Sequence, residues 1–105
     1  MGGEVVRTWS GVTALDDAEP YLQHLREDTL PHLQSLRGFC GVEVLRRALG
    51  QDEVEFVVQT RWSDLEAIHA FAGDALHVAV VPAAARARLR RFDERVEHYE
   101  VAVCG

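Results

Sequence analysis

The chain has 105 residues, of which 48% are hydrophobic and 27% charged, and its formal net charge is −6. This length and composition predict one ordinary globular domain over residues 1–105, and no stretch approaches the roughly 20 apolar residues of a membrane-spanning helix. The acidic balance opposes attraction to phosphate backbones, so we expect neither a nucleic-acid nor a membrane partner. The start, Met1-Gly2-Gly3-Glu4, lacks a secretory pattern, which predicts a cytoplasmic protein with a short frayed end.

The first part of the chain predicts a strand and a long helix. Residues 4–12 are rich in β-branched and aromatic residues, which is typical of a strand. Asp16 and Asp17 stand where a helix needs acceptors for its free N–H groups. We expect Pro31 to bend or break this helix and Gly38 to end it. The apolar stripe at helical spacing consists of Ala18, Leu22, Leu25, Thr29, Leu33 and Leu36.

The middle of the chain predicts a hairpin and a second helix. Residues 39–49 and 54–62 are two β-rich runs joined by the polar link Gly50-Gln51-Asp52-Glu53, the pattern of a hairpin. Ser63-Asp64-Leu65-Glu66 matches a capping box with the serine at the helix N-cap, and Gly73 ends that helix.

The last part of the chain predicts a third helix and a fourth strand. Pro82 suits a helix start, and apolar residues then recur at Ala85, Leu89 and Phe92. Residues 93–103 return as the fourth strand.

The order β-α-β-β-α-β predicts an α+β fold, a ferredoxin-like antiparallel sheet of strand order 4-1-3-2 with helices on one face. Both faces of the strands carry apolar side chains, as Val5 and Trp9 do on one face of the first strand and Val6 on the other. Leaving such a face in water forfeits several kcal/mol at about 25 cal/mol per Å². The sequence therefore predicts a homodimer in which two sheets cover each other.

We assign no function to two features of the sequence, the cysteines and a basic run. Cys40 and Cys104 have no partner motif, so we expect both thiols to be free. A basic run near the end of the chain predicts a solvated helix face beside acidic neighbours. Its members are Arg86, Arg88, Arg90, Arg91 and Arg95.

Four segments carry a resemblance to a known family: Arg7-Thr8-Trp9-Ser10-Gly11, Leu36-x-Gly38-Phe39-x-Gly41, Thr60-x-Trp62-Ser63-x-x-Glu66-Ala67-Ile68-x-x-Phe71-Ala72-Gly73 and Val96-Glu97-His98-Tyr99-Glu100-Val101. Together they resemble the antibiotic biosynthesis monooxygenase-like members of the dimeric α+β barrel superfamily over nearly the whole chain. The resemblance implies two ferredoxin-like sheets packed into a barrel, with a cavity in each subunit between sheet and helices. Members include cofactor-free oxygenases that act on anthrone or quinol-type intermediates, and haem-degrading enzymes.

The haem-degrading members use an asparagine on the first strand with a tryptophan and a histidine near the later helices. This sequence has Arg7-Thr8-Trp9 at the first place and Phe71 with His77 at the second, so the asparagine is missing and the aromatic residue differs. His77 still offers an iron ligand, and haem binding is a third hypothesis. No histidine pair has the i, i+4 spacing of a helical metal site, so the sequence predicts no metal, and no nucleotide-binding motif predicts a cofactor.

Under the leading hypothesis the protein is a cofactor-independent monooxygenase that oxidises a small phenolic or quinol-like aromatic with O₂. His98 is the candidate general base, Arg7 stabilises the resulting anion, and Trp9 holds the ring. Further candidates for substrate binding are Gln59, Arg61, Trp62, Phe71 and His77.

Structural roles for the same residues remain open. His98 could be satisfied by a neighbour, Arg7 could pair with Glu97 or Glu100, and Trp62 could belong to the core. The alternative function is a non-catalytic small-molecule-binding or assembly domain, which predicts a dry core in place of a cavity.

Overall fold

A computed structural model describes residues 4–105, so the frayed start expected at residues 1–3 lies outside the described part. The strands are β1 (Val5–Ala14), β2 (Phe39–Leu49), β3 (Glu53–Trp62), β4 (Leu89–Phe92) and β5 (Glu97–Glu100). The helices are α1 (Ala18–His24), α2 (Leu30–Gln34), α3 (Leu65–Ala72) and α4 (Ala83–Arg86). A 3₁₀ turn (Leu15–Asp17) precedes α1, and a π-helical turn (Leu25–Thr29) joins α1 to α2.

The sheet is antiparallel, has the order β2-β3-β1-β4, and carries β5 on the same edge of β1 as β4. This confirms the ferredoxin-like order 4-1-3-2, with the helices packed on one face. Strand β1 lies at the centre because it pairs with β3 over its whole length, from Val5 opposite Trp62 to Ala14 opposite Glu53. The hairpin β2–β3 is also confirmed.

The end of the chain differs from the prediction in two ways. The last helix stops at Arg86, and Leu89–Phe92 is strand β4; residues 93–103 form one short strand, β5, rather than a continuous fourth strand. The cause of the first error is a bulge: Phe92 lies opposite Gly11 and Leu89 opposite Thr13, so one residue is skipped between them. As a result, Leu89 and Phe92 share one face of the strand although they are three residues apart. The same spacing places two residues on one face of a helix.

The first helical segment follows the prediction in part. Pro31 has no N–H to bond the carbonyl four residues earlier, and the regular α-helical pattern is interrupted by the π-helical turn just before it. Asp17 makes no side-chain capping bond at α1; its carboxylate instead accepts a hydrogen bond from Arg88 at 3.1 Å. Tyr21, which the predicted stripe omitted, is buried in the core.

The ends of α3 are set by local side-chain and backbone features. Asp64, not Ser63, is the N-cap of α3, because its Oδ1 accepts a hydrogen bond from the Ala67 N–H at 2.9 Å. Gly73 ends α3, as predicted, with φ 79°, and Gly38 has φ 86°, the positive φ predicted for it. A Cβ at Gly38 would lie 2.5 Å from the Cβ of Ala67, which is closer than packed atoms allow.

Both cysteines are free and exposed, as predicted. The basic run does not form one helix face, because Arg86 is on α4 whereas Arg90 and Arg91 are on β4. Arg88, Arg90 and Arg91 make ion pairs with acidic side chains. Arg91 donates from Nη1 and Nη2 to the two oxygens of Glu53, at 2.9 and 3.0 Å, and Arg90 donates to the same carboxylate at 3.0 Å. These hydrogen bonds lower the pKa of Glu53 to about 2.

Two clusters of buried side chains fill the space between sheet and helices. One lies under α1 and α4 and contains Ala18, Tyr21, Leu25, Val54, Phe56 and Ala85. The other lies under α2 and α3 and contains Val5, Leu33, Trp62 and Ile68. Residues from both clusters, among them Tyr21, Leu25 and Leu33, border the cavity described next.

Candidate functional site

A cavity of about 480 Å³ lies between the sheet and the helices, where the resemblance implies one. Its wall is mostly apolar, with a small number of polar side chains. The sheet contributes Arg7, Trp9, Val58, Thr60 and, beside β5, Val96. The helices and the loop before α4 contribute Tyr21, His24, Leu25, Asp28, Thr29, His32, Leu33, Phe71, Val80, Val81, Pro82, Ala84 and Ala85. Such a lining is typical of a site for a small, largely apolar ligand.

Arg7 is the central charged group of the site and is only 5% exposed. Its Nη1 donates to the Leu76 carbonyl at 2.6 Å and its Nη2 to the Val78 carbonyl at 3.0 Å, while Nη1 also contacts His98 Nε2 at 3.0 Å. The guanidinium carbon stands 5.7 Å from the ring centre of Phe71. Burial lowers the pKa of Arg7. Because a guanidinium has five N–H groups, these contacts leave Nε–H and one Nη2–H for a ligand.

The expected ion pair of Arg7 with Glu97 or Glu100 is not present among the described residues. The register explains this result, because His98 lies directly opposite Arg7, while Glu97 lies opposite Thr8. Neighbouring residues of a strand point to opposite faces, so Glu97 is turned away from the guanidinium.

His98 stands beside Arg7, outside the lining found for the cavity in residues 4–105. A guanidinium only donates, so His98 Nε2 accepts and the ring is neutral with its proton on Nδ1. Burial lowers the pKa of His98, and the charges of Arg7 and His77 lower it further. The ring of His77 lies 5.1 Å from that of His98 and is likewise outside the lining.

The structure therefore brings Arg7, Phe71, His77 and His98 together, and of these Arg7 and Phe71 reach the cavity wall. Trp9 also lines the cavity and is held by a hydrogen bond from its Nε1 to the Asp93 carbonyl at 2.8 Å.

The remaining candidates lie elsewhere. Gln59 and Arg61 alternate with Thr60 on β3 and so belong to the sheet face that carries no helices, where Arg61 Nε lies 3.4 Å from Glu4 Oε1. Trp62 is fully buried, and its ring stacks on that of Phe71 with 5.4 Å between the ring centres. Its Nε1 donates a hydrogen bond to Thr60 Oγ1 at 2.8 Å. Trp62 is thus a core residue, which is the structural role left open for it.

Sequence reasoning missed the wall that the first helical segment supplies. His24 and Asp28 line the cavity, and the imidazole Nδ1 lies 3.1 Å from the carboxylate Oδ2. The signal was present as a histidine and an aspartate at i, i+4, with the histidine next to Leu25 of the predicted stripe. Tyr21 lines the same wall, and burial raises its pKa above the ordinary value.

Three solved structures share this architecture over almost the whole chain. A candidate antibiotic biosynthesis monooxygenase from Bacillus cereus is 17% identical, with 99% of this chain and 98% of that chain covered and a TM-score of 0.71. The chain has the ferredoxin-like fold of the antibiotic biosynthesis monooxygenase-like proteins. SnoaB, a cofactor-independent oxygenase from Streptomyces nogalater, is 20% identical with 99% and 96% covered and a TM-score of 0.59.

A haem-degrading protein from Mycobacterium tuberculosis has the same fold, at 20% identity, with 100% of this chain and 98% of that chain covered and a TM-score of 0.63. No protein-family model and no curated protein matches the chain. The resemblance found in the sequence is therefore supported by the shared fold of these monooxygenase-like proteins.

None of the helices in residues 4–105 is long and apolar enough to cross a membrane. In the same range, no group of three or more His, Cys, Asp or Glu side chains is arranged to hold a metal ion.

Proposed function

We propose that the protein is a cofactor-independent monooxygenase that oxidises a small phenolic or quinol-like aromatic with O₂. The observation that carries this proposal is the apolar cavity of about 480 Å³ with Arg7 and Trp9 in its sheet wall. A planar apolar ring fits such a lining, and a buried guanidinium stabilises an anion. The oxygenase activity named for SnoaB, which has the same fold, supports this choice of reaction.

In the proposed reaction a ring carbon or hydroxyl of the substrate loses a proton, and the anion passes an electron to O₂. The resulting radical and superoxide combine to a peroxide anion, which regains the proton as a hydroperoxide and then loses water, so that an anthrone CH₂ and O₂ give a C=O and H₂O. The free N–H groups of Arg7 stabilise the anion, and Trp9 packs on the ring. His98, whose Nε2 faces Arg7, acts as a positioning residue for the guanidinium rather than as the base.

Oxygen uptake with an anthrone or a naphthoquinol tests the proposal. We expect one O₂ to be consumed per anthrone without added flavin or metal and with chelator present. Ala84→Trp should slow uptake at least about tenfold, because Ala84 lines the cavity and the indole obstructs it. Ala83→Trp is the matched control, since Ala83 is the neighbouring residue on α4 and is exposed as Ala84 is, but is not in the cavity lining of the described chain.

Uptake no faster than in buffer with both substrate types would contradict the oxygenase proposal. His98→Ala tests the role of that residue: a lower rate is expected because Arg7 loses a contact, and a rate equal to wild type removes His98 from the mechanism.

A non-catalytic binding protein is the second candidate, because the contacts of Arg7 with Leu76, Val78 and His98 hold the guanidinium as a structural element would. This alternative predicts that a naphthoquinol quenches the fluorescence of Trp9 on binding but is recovered unoxidised. The third candidate, haem binding, has less support, because a haem in the cavity would not meet His77, the ligand that the sequence suggested.

The proposal includes a homodimer formed through the helix-free face, the sheet surface opposite the helices. Val6 and Tyr99 are direct neighbours on this face, and Leu45 lies opposite Val57. Tyr99 is 59% exposed and Leu45 48%. A protein from an uncultured marine organism that is described as a dimeric ferredoxin-like protein, 13% identical with a TM-score of 0.55, supports the proposal of a dimer.

A further inference from the structure

We infer that His24 and Asp28 are a proton-accepting pair in the cavity wall, which takes the acidic proton of a bound phenolic or enolic aromatic. The inference rests on the proposed function for its class of ligand. It concerns proton transfer only, which precedes any reaction with O₂ and is measured separately from it.

The first argument is the orientation of the imidazole. Nδ1 of His24 lies 3.1 Å from Asp28 Oδ2. A carboxylate accepts hydrogen bonds, so this contact puts the ring proton on Nδ1 and leaves the lone pair of Nε2 free. The one other contact of the ring among the described residues is Nε2 to Thr29 Oγ1 at 3.5 Å, which is the outer limit of a hydrogen bond.

The second argument is the burial of the two partners. The His24 side chain is 11% exposed and borders the cavity, whereas the Asp28 side chain is 70% exposed. The pair therefore runs from the cavity wall to the solvent. This arrangement supports the imidazolium that forms on proton uptake and gives the proton a route to water.

The third argument is the helical segment that carries the pair. The π-helical turn Leu25–Thr29 separates α1 from α2, and residues of the turn line the cavity. Such turns are rare and are frequently found at functional sites. Pro31 follows the turn and cannot donate a backbone hydrogen bond, so the sequence itself encodes the interruption.

The two groups that would carry positive charge, His24 after proton uptake and Arg7, lie on different walls of the cavity. His24 is on the helical wall and Arg7 on the sheet wall of the same cavity. The proton moves to His24 Nε2, the electron pair stays on the substrate, and the free N–H groups of Arg7 face the anion. The peroxide anion formed with O₂ takes this proton back from Nε2 and becomes the hydroperoxide, which then loses its remaining ring C–H proton and hydroxide together as water, so the charges balance.

The test is an anaerobic optical titration with 4-nitrophenol, whose ionised form absorbs in the visible, at a pH where the free phenol is mostly neutral. We expect wild-type protein to bind it as the phenolate. His24→Gln should bind it, as shown by Trp9 fluorescence, with at least about tenfold less phenolate. Asp28→Asn should give an intermediate loss, because the imidazolium loses the carboxylate that accepts a hydrogen bond from its Nδ1.

The chain offers a matched control for this experiment. His69 Nε2 lies 2.7 Å from Asp74 Oδ1, a similar histidine–carboxylate pair that is exposed and away from the cavity lining in residues 4–105. His69→Gln should leave the ionisation of bound 4-nitrophenol unchanged. Circular dichroism of each variant checks that the fold is retained.

Three results would overturn the inference: no binding by wild type, a bound phenol that stays neutral, or equal phenolate in wild type and His24→Gln. Oxygen uptake with an anthrone separates the two proposals. Phenolate formation without oxygen uptake upholds the pair and rejects the oxygenase, whereas uptake that is unchanged in His24→Gln upholds the oxygenase and rejects the pair.

Discussion

At the scale of single residues, Arg7 connects the central strand to the loop between α3 and α4. Its hydrogen bonds to the Leu76 and Val78 carbonyls fix the segment that borders one side of the cavity. Arg7→Met removes three hydrogen bonds of a buried charged group and is expected to lower the free energy of unfolding by about 2–4 kcal/mol. Urea unfolding followed by circular dichroism measures the change.

Arg61→Met is the control for this substitution. Arg61 is on the helix-free face with its side chain 45% exposed, and its ion pair with Glu4 is 3.4 Å long. We expect a loss of no more than about 0.5 kcal/mol. Equal losses for the two variants would mean that Arg7 is not a structural anchor.

His98 makes the stability of the protein depend on pH. Its pKa in the folded protein is below the ordinary value of 6.5, first because of burial and then because of Arg7 and His77. Well above pH 6.5, the His98 side chain is neutral in both the folded and the unfolded protein, so it does not change the free energy of unfolding. As the pH falls further the unfolded chain takes up the proton first, so stability decreases until the folded-state pKa is passed.

We therefore expect the urea midpoint of wild type to decrease between about pH 7 and pH 5. His98→Gln, which has no proton to take up, should show a smaller decrease over the same range. Parallel pH curves for the two proteins would rule out this contribution of His98.

At the scale of the elements, the N-cap of α3 is Asp64, one residue after the serine that the capping box predicted. Ser63 donates its N–H to the Gly38 carbonyl at 2.8 Å, and Asp64 is the residue that caps the helix. Asp64→Ala is expected to cost about 1 kcal/mol of stability, as N-cap substitutions do.

Ser63→Ala should cost less than about 0.5 kcal/mol, because the backbone bond to Gly38 remains. Thermal or urea unfolding of the two variants gives the comparison. A larger loss for Ser63→Ala would return the cap to the residue that the capping-box pattern favoured.

Strand β4 shows why spacing alone misassigned an element. Leu89 and Phe92 face the same side of the sheet because a bulge skips one residue between their partners, Thr13 and Gly11. A periodicity of three to four is produced by a helix or by a bulged strand, and only pairing with β1 separates the two. By contrast β2 and β3 were predicted well, because a polar turn joins two long β-rich runs.

At the scale of the whole molecule, the helix-free face is the proposed interface of the homodimer. It mixes apolar groups, such as Val6 and Leu45, with polar ones such as Gln59. Leu45→Glu is expected to shift the sedimentation mass from two chains towards one, because it places a charge in the proposed interface. Leu65→Glu is the control, since Leu65 is 49% exposed but lies on α3 in the helical layer.

A wild-type mass of one chain at micromolar concentration would exclude the homodimer. Equal dimer content in the wild type and Leu45→Glu would place the interface elsewhere on the molecule.

The sequence by itself determined the order of strands and helices, the hairpin, and the glycines that end α3 and precede β2, because these depend on local periodicity and backbone preference. It also nominated Arg7, Trp9 and Phe71, three residues that line the cavity. The tertiary structure decided that His98 faces Arg7 and that His24 with Asp28 borders the cavity. Cross-strand register and the packing of a helix on a sheet join residues far apart in the chain, and no local pattern encodes those distances.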